Sequence, residues 1–467
     1  MVTIDETNDL KPGNPLENEN ISKLLLKFAI PSVISMVVNA LYNIVDQIFI
    51  GQGVGYLGNA ATNVAFPLIT IAMAIALMTG NGAAALYSLK LGAREEETAS
   101  KTVGNAISMM IISGLGMLCM GLIFFKPLLY IFGATEAVMP YAIDYTRIII
   151  IGLPFVITTV GLNAIIRADG SPKYSMYSML IGAVINIILD PIFIFVFHMG
   201  VEGAAIATII GQFVSLLFSL KYIRAFKSIK VTKDIFRLDK KIIGTIISFG
   251  ASSFATQMAI TLVQITINNT IRHYGALSIY GSDIPLSVIG IVMKVNMIII
   301  SIILGIAIGS QPIWGYNYGA KRYDRVKKTY KISVLIASVF SFAGLLVFQL
   351  FTQNVVNLFG SESLLYNEFA IKSFKIFLSG MFAVGFQIVS SIYFQAIGKP
   401  LKSAFLSMSR QAFLLAPLVV IMPMIFGIEG ILYAGPMADI MSAVITSIFI
   451  IKEMKNLNIM QEEYNVV

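Results

Sequence analysis

The sequence predicts an all-α, polytopic membrane protein in which twelve transmembrane helices form two repeated six-helix lobes around a central cavity. Three observations lead to this prediction: an apolar composition, twelve apolar runs, and a repeat that relates the two halves. Of the 467 residues, 57% are hydrophobic and only 12% are charged, against about 25% charged residues in soluble domains. Lipid suits such a chain as solvent, because a helix that crosses a bilayer can be apolar on all sides.

Twelve runs are long enough to cross a hydrocarbon layer about 30 Å thick, which takes roughly 20 apolar residues of helix. They lie at residues 24–50, 59–86, 104–125, 141–165, 174–197, 202–223, 243–271, 285–311, 329–351, 369–395, 403–426 and 428–451. Because the number of spans is even, both ends of the chain are expected on the same side of the membrane.

Lysine and arginine residues indicate which side that is. Most of them lie in the even-numbered links between spans, whereas the odd-numbered links offer only Lys126 and Arg272. Cytoplasmic loops carry an excess of these residues, so both termini are expected in the cytoplasm, with the protein in the bacterial cytoplasmic (inner) membrane. The same loops account for the net charge of +8, and no nucleic-acid partner is expected.

An internal repeat becomes visible when the chain is shifted against itself by 227 residues. Segment 200–208 (GVEGAAIAT) then falls on 427–435 (GIEGILYAG). Three further segments find partners in the same order, with the last shifted by one residue: 91–94 with 318–321, 131–133 with 358–360, and 170–173 with 398–401. Two parallel six-span repeats suit a transporter that works by alternating access.

The repeat divides the chain into two lobes with polar segments around them. The predicted parts are a cytoplasmic tail (1–20), which we expect to be mobile, an N-lobe (21–225), a basic cytoplasmic linker (226–242), a C-lobe (243–452) and a second cytoplasmic tail (453–467).

Carboxylates inside spans are costly and therefore mark candidate functional sites. Asp46 lies near the outer end of the first span, and Asp190 lies in the fifth, four residues after Asn186 and directly before Pro191. The spacing of four places Asn186 and Asp190 on one helix face. Such oxygens can hold Na⁺, or a proton, because a buried carboxyl beside a second carboxyl favours its neutral form. Alternatively, the two aspartates pair with a buried base such as Arg147.

The chain resembles the multidrug and toxic compound extrusion (MATE) family, on its MepA-like and DinF-like side, from about residue 22 to 455. The segments that carry this resemblance are 41–51 (LYNIVDQIFIG), 92–94 (GAR), 167–173 (RADGSPK), 186–194 (NIILDPIFI) and 200–208 (GVEGAAIAT). The resemblance implies two six-helix lobes facing a central cavity, and export of cationic, often aromatic compounds against an inward flow of H⁺ or Na⁺.

The resemblance also implies a cation site in the N-lobe. The family's first-span Asp, fifth-span Asn-x-x-x-Asp and sixth-span Thr fall on Asp46, Asn186, Asp190 and Thr208. Thr208 can equally bond back to its own helix. The second half lacks the acidic residues that other branches carry in spans 7 and 10 and offers Gln257 and other amides instead, so coupling is expected in the first lobe.

Several further residues are candidates for the substrate cavity, because thioether and aromatic side chains suit promiscuous recognition of flat cations. They are Tyr42, Phe66, Met73, Phe155, Gln257, Met293 and Lys294. Lys294 is unusual within a span: it can be a counter-ion, a gate or a group that repels wrongly charged cargo, or it can extend to an interface. For Asp439 in the last span we favour a structural role.

The predicted function is multidrug efflux by antiport, with no catalytic activity and no cofactor besides the coupling H⁺ or Na⁺. No P-loop, zinc signature or dinucleotide motif is present in the sequence, so ATP is not expected as the direct energy source. The expected partners are organic cations and membrane lipid, and the protein is expected to function as a monomer. A flippase for lipid-linked or amphipathic substrates is the alternative within the same superfamily; a membrane enzyme and a channel are alternatives from other classes.

Overall fold

The computed structural model describes residues 15–132, 134–229, 231–281, 283–358 and 364–466, and the regular structure in these ranges is helical. Eleven helices are long and apolar enough to cross a membrane, and one bent pair of helices makes the twelfth span. The prediction of an all-α polytopic membrane protein with twelve spans is therefore confirmed.

In chain order, the spans are α1 (Ile21–Gly53), α2 (Tyr56–Gly92), α3 (Glu96–Ile131), α4 (Met139–Ala168), α5 (Pro172–Pro191, continued by Ile192–Val196), α6 (Gly200–Lys221), α7 (Lys240–Ala276), α8 (Asp283–Gly319), α9 (Tyr323–Leu350), α10 (Leu364–Phe377 and Met381–Ala396, bent by 48°), α11 (Pro400–Met408, Ser409–Leu415 and Ala416–Phe426) and α12 (Glu429–Val466). Short helices Pro15–Asn18 and Thr352–Leu358 lie outside the spans, as do the 3₁₀ turns Tyr222–Ala225 and Lys233–Phe236.

The two halves of the chain form two lobes with the same internal packing. In the N-lobe α1 packs against α5 and α2 against α4; in the C-lobe α7 packs against α11 and α8 against α10. The lobes meet through two reciprocal pairs, α1 with α8 and α2 with α7. The repeat that the sequence predicts is therefore present in the packing of the helices.

Matched ion pairs reinforce this symmetry. Glu202, in the first turn of α6, pairs with Arg147 of α4, and its repeat partner Glu429, at the start of α12, pairs with Lys372 of α10 at 3.0 Å. Arg147 also lies 3.6 Å from Asp144. Arg147 is thus engaged with surface acids, and the alternative in which it neutralises the aspartates of the first and fifth spans is wrong.

The fifth helix of each lobe contains a π-helical turn. In α5 this turn, Ile192–Val196, directly follows Pro191, and the Phe197 N–H bonds to the carbonyl of Ile192 at 3.0 Å. In α11 the turn is Ser409–Leu415. Proline has no N–H for the helical ladder, and single π turns inside α-helices often mark functional sites.

The lobes are closed against each other at one end of the bundle, which we call the terminus end because both described chain ends lie there. A Cβ added to Gly250 of α7 would lie 1.8 Å from the carbonyl oxygen of Met78 in α2. At Gly319 of α8 it would lie 2.1 Å from the carbonyl oxygen of Leu89, also in α2. Only glycine lets two backbones approach this closely. Toward the opposite end this close packing ends, since nothing lies within 4 Å of an added Cβ on Gly290 of α8; we call the space between the lobes at that end the cleft.

The N-terminal segment 15–20 is docked at the terminus end, so our expectation of a mobile tail is wrong for these residues; residues 1–14 lie outside the described part. Leu16 is 2% exposed, and its carbonyl oxygen accepts hydrogen bonds from Asn317 and Arg325 of the C-lobe, both at 3.2 Å. Glu17 lies 3.8 Å from Arg94 of the N-lobe. The segment therefore bridges both lobes where they are closed.

We expect Arg325→Ala to detach this segment, because the guanidinium also donates to the carbonyl of Glu19 at 2.8 Å, and hydrogen bonds to charged groups contribute about 1.5–3 kcal/mol each. The measurement is thiol labelling of Leu16→Cys with the native Cys119 replaced by serine. Labelling should accelerate about tenfold or more. Lys328→Ala is the control, since Lys328 lies on the same helix as Arg325 and is exposed; equal labelling rates in both variants would contradict the prediction.

Candidate functional site

The polar centre of the N-lobe is built around the amide of Asn186 on α5. Its Nδ2 donates to Asp190 Oδ1 at 3.1 Å, one turn along the same helix, and to Thr208 Oγ1 of α6 at 3.2 Å. Asn186 is 2% exposed and Asp190 is fully buried. One amide therefore orients a carboxylate and joins two helices, and the hydroxyl of Thr208 faces this centre.

Asp46 completes the centre from α1, which packs against α5. Its carboxyl group lies within hydrogen-bonding reach of the Asp190 carboxyl. Thus the structure brings together all four residues predicted as the cation site, Asp46, Asn186, Asp190 and Thr208, from the consecutive helices α5 and α6 and from α1, which is distant in the sequence. Their role in coupling stays a prediction.

Three oxygens of this cluster are buried without a hydrogen-bond partner among the described residues: Asp46 Oδ1, Asn186 Oδ1 and Asp190 Oδ2. Leaving a buried acceptor unpaired is unfavourable, and two adjacent buried carboxylates add mutual repulsion. A proton on one carboxyl, or a Na⁺ among the oxygens, would relieve both. The donor set, carboxylate, amide and hydroxyl oxygen, is of the kind that hard cations prefer, so the residues present fit such an ion.

Two tyrosines stand beside the carboxylates. The phenol groups of Tyr42 on α1 and Tyr145 on α4 are close enough to interact electrostatically with both Asp46 and Asp190. We predicted Tyr42 for the substrate cavity, whereas Tyr145 was not predicted, because nothing in the apolar pattern of α4 distinguishes a residue facing this centre from one facing the lobe core.

A cavity of about 80 Å³ adjoins the centre inside the N-lobe. Tyr42, Met73, Asn186 and Thr208 line it, as does Asn163, whose Oδ1 has no partner among the described residues. A cavity of this volume can hold a few water molecules. Water or a partly hydrated ion in this cavity can thus contact Asn186 and Thr208 from within the lobe, whereas Asp46 and Asp190 lie behind its lining.

The seven residues predicted for the substrate cavity are not gathered in one place. Tyr42 and Met73 line the N-lobe cavity, but Phe155 packs on Phe213 of α6 with ring centroids 5.2 Å apart. Met293 packs against the C-lobe core. The remaining three are Phe66, which is 54% exposed on α2, and Gln257 and Lys294 on the C-lobe helices. Their roles stay predictions.

A buried ion pair lies in the C-lobe. Arg410 of α11 donates through Nε to Asp439 Oδ1 of α12 at 2.6 Å, and the two side chains are 13% and 6% exposed. This supports a structural role for Asp439. Its partner Arg410 was not predicted, although a charge within an apolar run was a visible signal.

Comparison with known proteins places this architecture in a family. The family model described as MatE matches residues 31–192 and 252–421, one stretch in each lobe. Among curated proteins, the chain is 25% identical over 429 residues to the "Multidrug export protein MepA" of Staphylococcus aureus (strain N315), covering 91% of this chain and 93% of that protein. The protein of the same name in Staphylococcus haemolyticus (strain JCSC1435) is 25% identical over 445 residues, covering 94% and 95%.

Solved structures have the same fold. A MOP superfamily transporter from Pyrococcus furiosus Vc1 (DSM3638) superimposes with a TM-score of 0.88 at 24% identity, over 95% of this chain and 98% of that one. An outward-facing multidrug resistance MATE family transporter gives the same values. Because the family model covers well over half of the chain, with a match in each of the two lobes, this protein belongs to the MATE family.

Proposed function

We propose that the protein is a secondary active multidrug efflux transporter, which exports cationic or aromatic organic compounds in exchange for H⁺ or Na⁺. The observation that carries this proposal is the trio of unpaired buried oxygens on Asp46, Asn186 and Asp190. A site that needs a cation, inside one lobe of a two-lobe transporter fold, is what cation-driven exchange requires. The relatives named multidrug export proteins support the cargo class.

The proposed coupling works through α1. When both carboxylates are charged, Asp46 and Asp190 repel each other; when the site holds a cation, α1 is drawn toward α5. Pro191 and the π turn that follows it interrupt the regular backbone hydrogen bonds of α5 at this level, so the helix can bend there. Binding of cargo and cation must then lower each other's affinity, since linkage between two ligands is reciprocal.

The proposed orientation places the terminus end in the cytoplasm, because the lysine- and arginine-rich links lie at that end. Since the lobes are closed there, the structure corresponds to an outward-facing state. We further propose that the protein resides in the bacterial cytoplasmic membrane, acts as a monomer, catalyses no covalent reaction, and needs no cofactor beyond the coupling ion.

The test is export of a fluorescent aromatic cation from proteoliposomes under imposed proton or sodium gradients. Wild type should concentrate the dye, and the more effective gradient identifies the ion. Asp190→Asn should lose gradient-driven transport while still binding dye, because its neutral amide no longer needs a cation. Asp144→Asn is the matched control, an acid of the same lobe that lies 3.6 Å from Arg147 at the surface.

Two outcomes would contradict the proposal. Undiminished gradient-driven transport by Asp190→Asn would show that the cluster does not couple. Failure of folded wild type to move any organic cation or zwitterion would favour the flippase alternative.

A further inference from the structure

Lys294 lies on the face of α8 that is turned toward the N-lobe. At the terminus end this face meets α1: an added Cβ on Gly305 would lie 2.4 Å from the Cα of Val33, and on Gly309 2.7 Å from the Cα of Ala29. Lys294 precedes Gly305 by eleven residues, which is about three helical turns. Lys294 therefore projects from α8 within about 20° of the direction in which Gly305 faces α1. The other side of α8 is buried in the C-lobe core through Val288 and Val292.

The two contacts also set the depth of Lys294. Ala29 faces Gly309 and Val33 faces Gly305, so α1 and α8 run antiparallel at this contact. When the same register is extended away from the terminus end, Lys294 lies opposite Ile44. Ala40 of α1, one turn before Ile44, is still buried at 1% exposure, whereas Lys294 is exposed. The lobes therefore separate at this level, and Lys294 stands at the floor of the cleft.

The described carboxylates leave this lysine without an acidic partner. Among the described residues, no carboxylate oxygen lies within 4.0 Å of Lys294 Nζ. Asp46 is two residues from Ile44, but it lies about 140° around α1 from Val33 and faces the N-lobe interior, beside Asp190. The N-lobe carboxylates and the C-lobe lysine thus lie on opposite sides of α1.

The neighbouring wall of the cleft, on α7, carries amide side chains. On α7, Gln257 follows the contact residue Gly250 by two turns and Asn268 follows it by five, so both continue the stripe that faces the N-lobe. Asn268 is exposed and accepts a hydrogen bond from Gln264 at 3.2 Å. Arg272, 22 residues after Gly250, lies within about 40° of the same stripe and is exposed. These helices thus present positive charges and several amide groups, a surface that attracts anionic groups and repels purely cationic cargo.

From this placement we propose that Lys294 selects cargo that bears an acidic group, so that the preferred substrates are aromatic compounds with a carboxylate, including zwitterions, rather than simple cations. This rests on the proposed export function and specifies its substrate class. Because α1 carries Asp46 on one side and faces Lys294 with the other, cation binding that moves α1 toward α5 also changes the cleft beside Lys294. Cargo and cation can thereby compete without sharing a site.

The experiment uses a pair of xanthene dyes that differ only in a benzoate group, free in one and methylated in the other. Binding to purified protein is followed by fluorescence anisotropy, and export is followed in proteoliposomes. Lys294→Gln should weaken binding of the free acid about tenfold, as expected for loss of one charge-assisted hydrogen bond, and should leave the ester within about twofold. Lys294→Arg should restore the preference, and Lys126→Gln is the control.

If Lys294→Gln weakened binding of both dyes equally, Lys294 would act as a gate or have a structural role, and the proposal would be overturned. Unchanged binding of the free acid would overturn it as well. The binding assay needs no gradient. If wild type binds the acid through Lys294 but transports neither dye, the proposed export function fails while the assignment of Lys294 stands.

Discussion

Gly250→Leu is expected to abolish transport without unfolding the protein. Even a single added Cβ would lie 1.8 Å from the Met78 carbonyl oxygen and 2.6 Å from its carbonyl carbon. Both atoms belong to the backbone of α2, which cannot rotate away as a side chain can. The lobes must therefore stay apart at the terminus end, and the state with the closed terminus end is lost. Each lobe keeps its own core, so the variant should remain folded.

The measurement combines proteoliposome transport with the distance between spin labels at Thr98 of α3 and Lys241 of α7, which line one open surface pocket at the terminus end. We expect a longer distance and no transport. Gly244→Leu is the matched control: it makes the same change in helix propensity in the same helix, but nothing lies within 4 Å of its added Cβ. Near-normal transport by Gly250→Leu would show that this approach of α7 to α2 is dispensable.

Asp439→Ala is expected to lower the free energy of unfolding by about 3–5 kcal/mol, because removing one partner of a buried ion pair leaves the other charge unpaired. Arg410, the partner, lies in the π turn of α11. The pair also supports the bend in α10, since an added Cβ on Gly380 would lie 2.8 Å from the Asp439 Cβ. Losing it should loosen α10, α11 and α12 together.

Thermal or denaturant unfolding in detergent measures this effect. The double variant Arg410→Met/Asp439→Leu should recover most of the lost stability, because apolar residues of similar volume replace a buried pair at little cost. If the double variant were as unstable as Asp439→Ala, or if Asp439→Ala unfolded like wild type, the stability would not depend on the charge pair.

The polar centre of the N-lobe shows how much of a candidate site the sequence can predict. The spacing of Asn186 and Asp190 places them on one face of any helix, and a carboxylate inside a span is a candidate wherever it occurs. That the Asn186 amide reaches Thr208 at 3.2 Å, and that Asp46 lies beside Asp190, depend on how α1, α5 and α6 pack. Tyr145 joins the same centre only through that packing.

The sequence by itself determined the properties that depend on local composition: the helical class, the number of spans and the repeat with its Glu202 and Glu429 partners. Hydropathy and the periodicity of apolar residues are properties of a single helix, so they can be seen directly in the sequence. Tertiary structure alone decided which faces meet. It closed the lobes at Gly250 and Gly319, docked Leu16 across their seam and paired Arg410 with Asp439. Each of these depends on contacts between helices far apart in the sequence, and no local pattern records which helix will lie opposite.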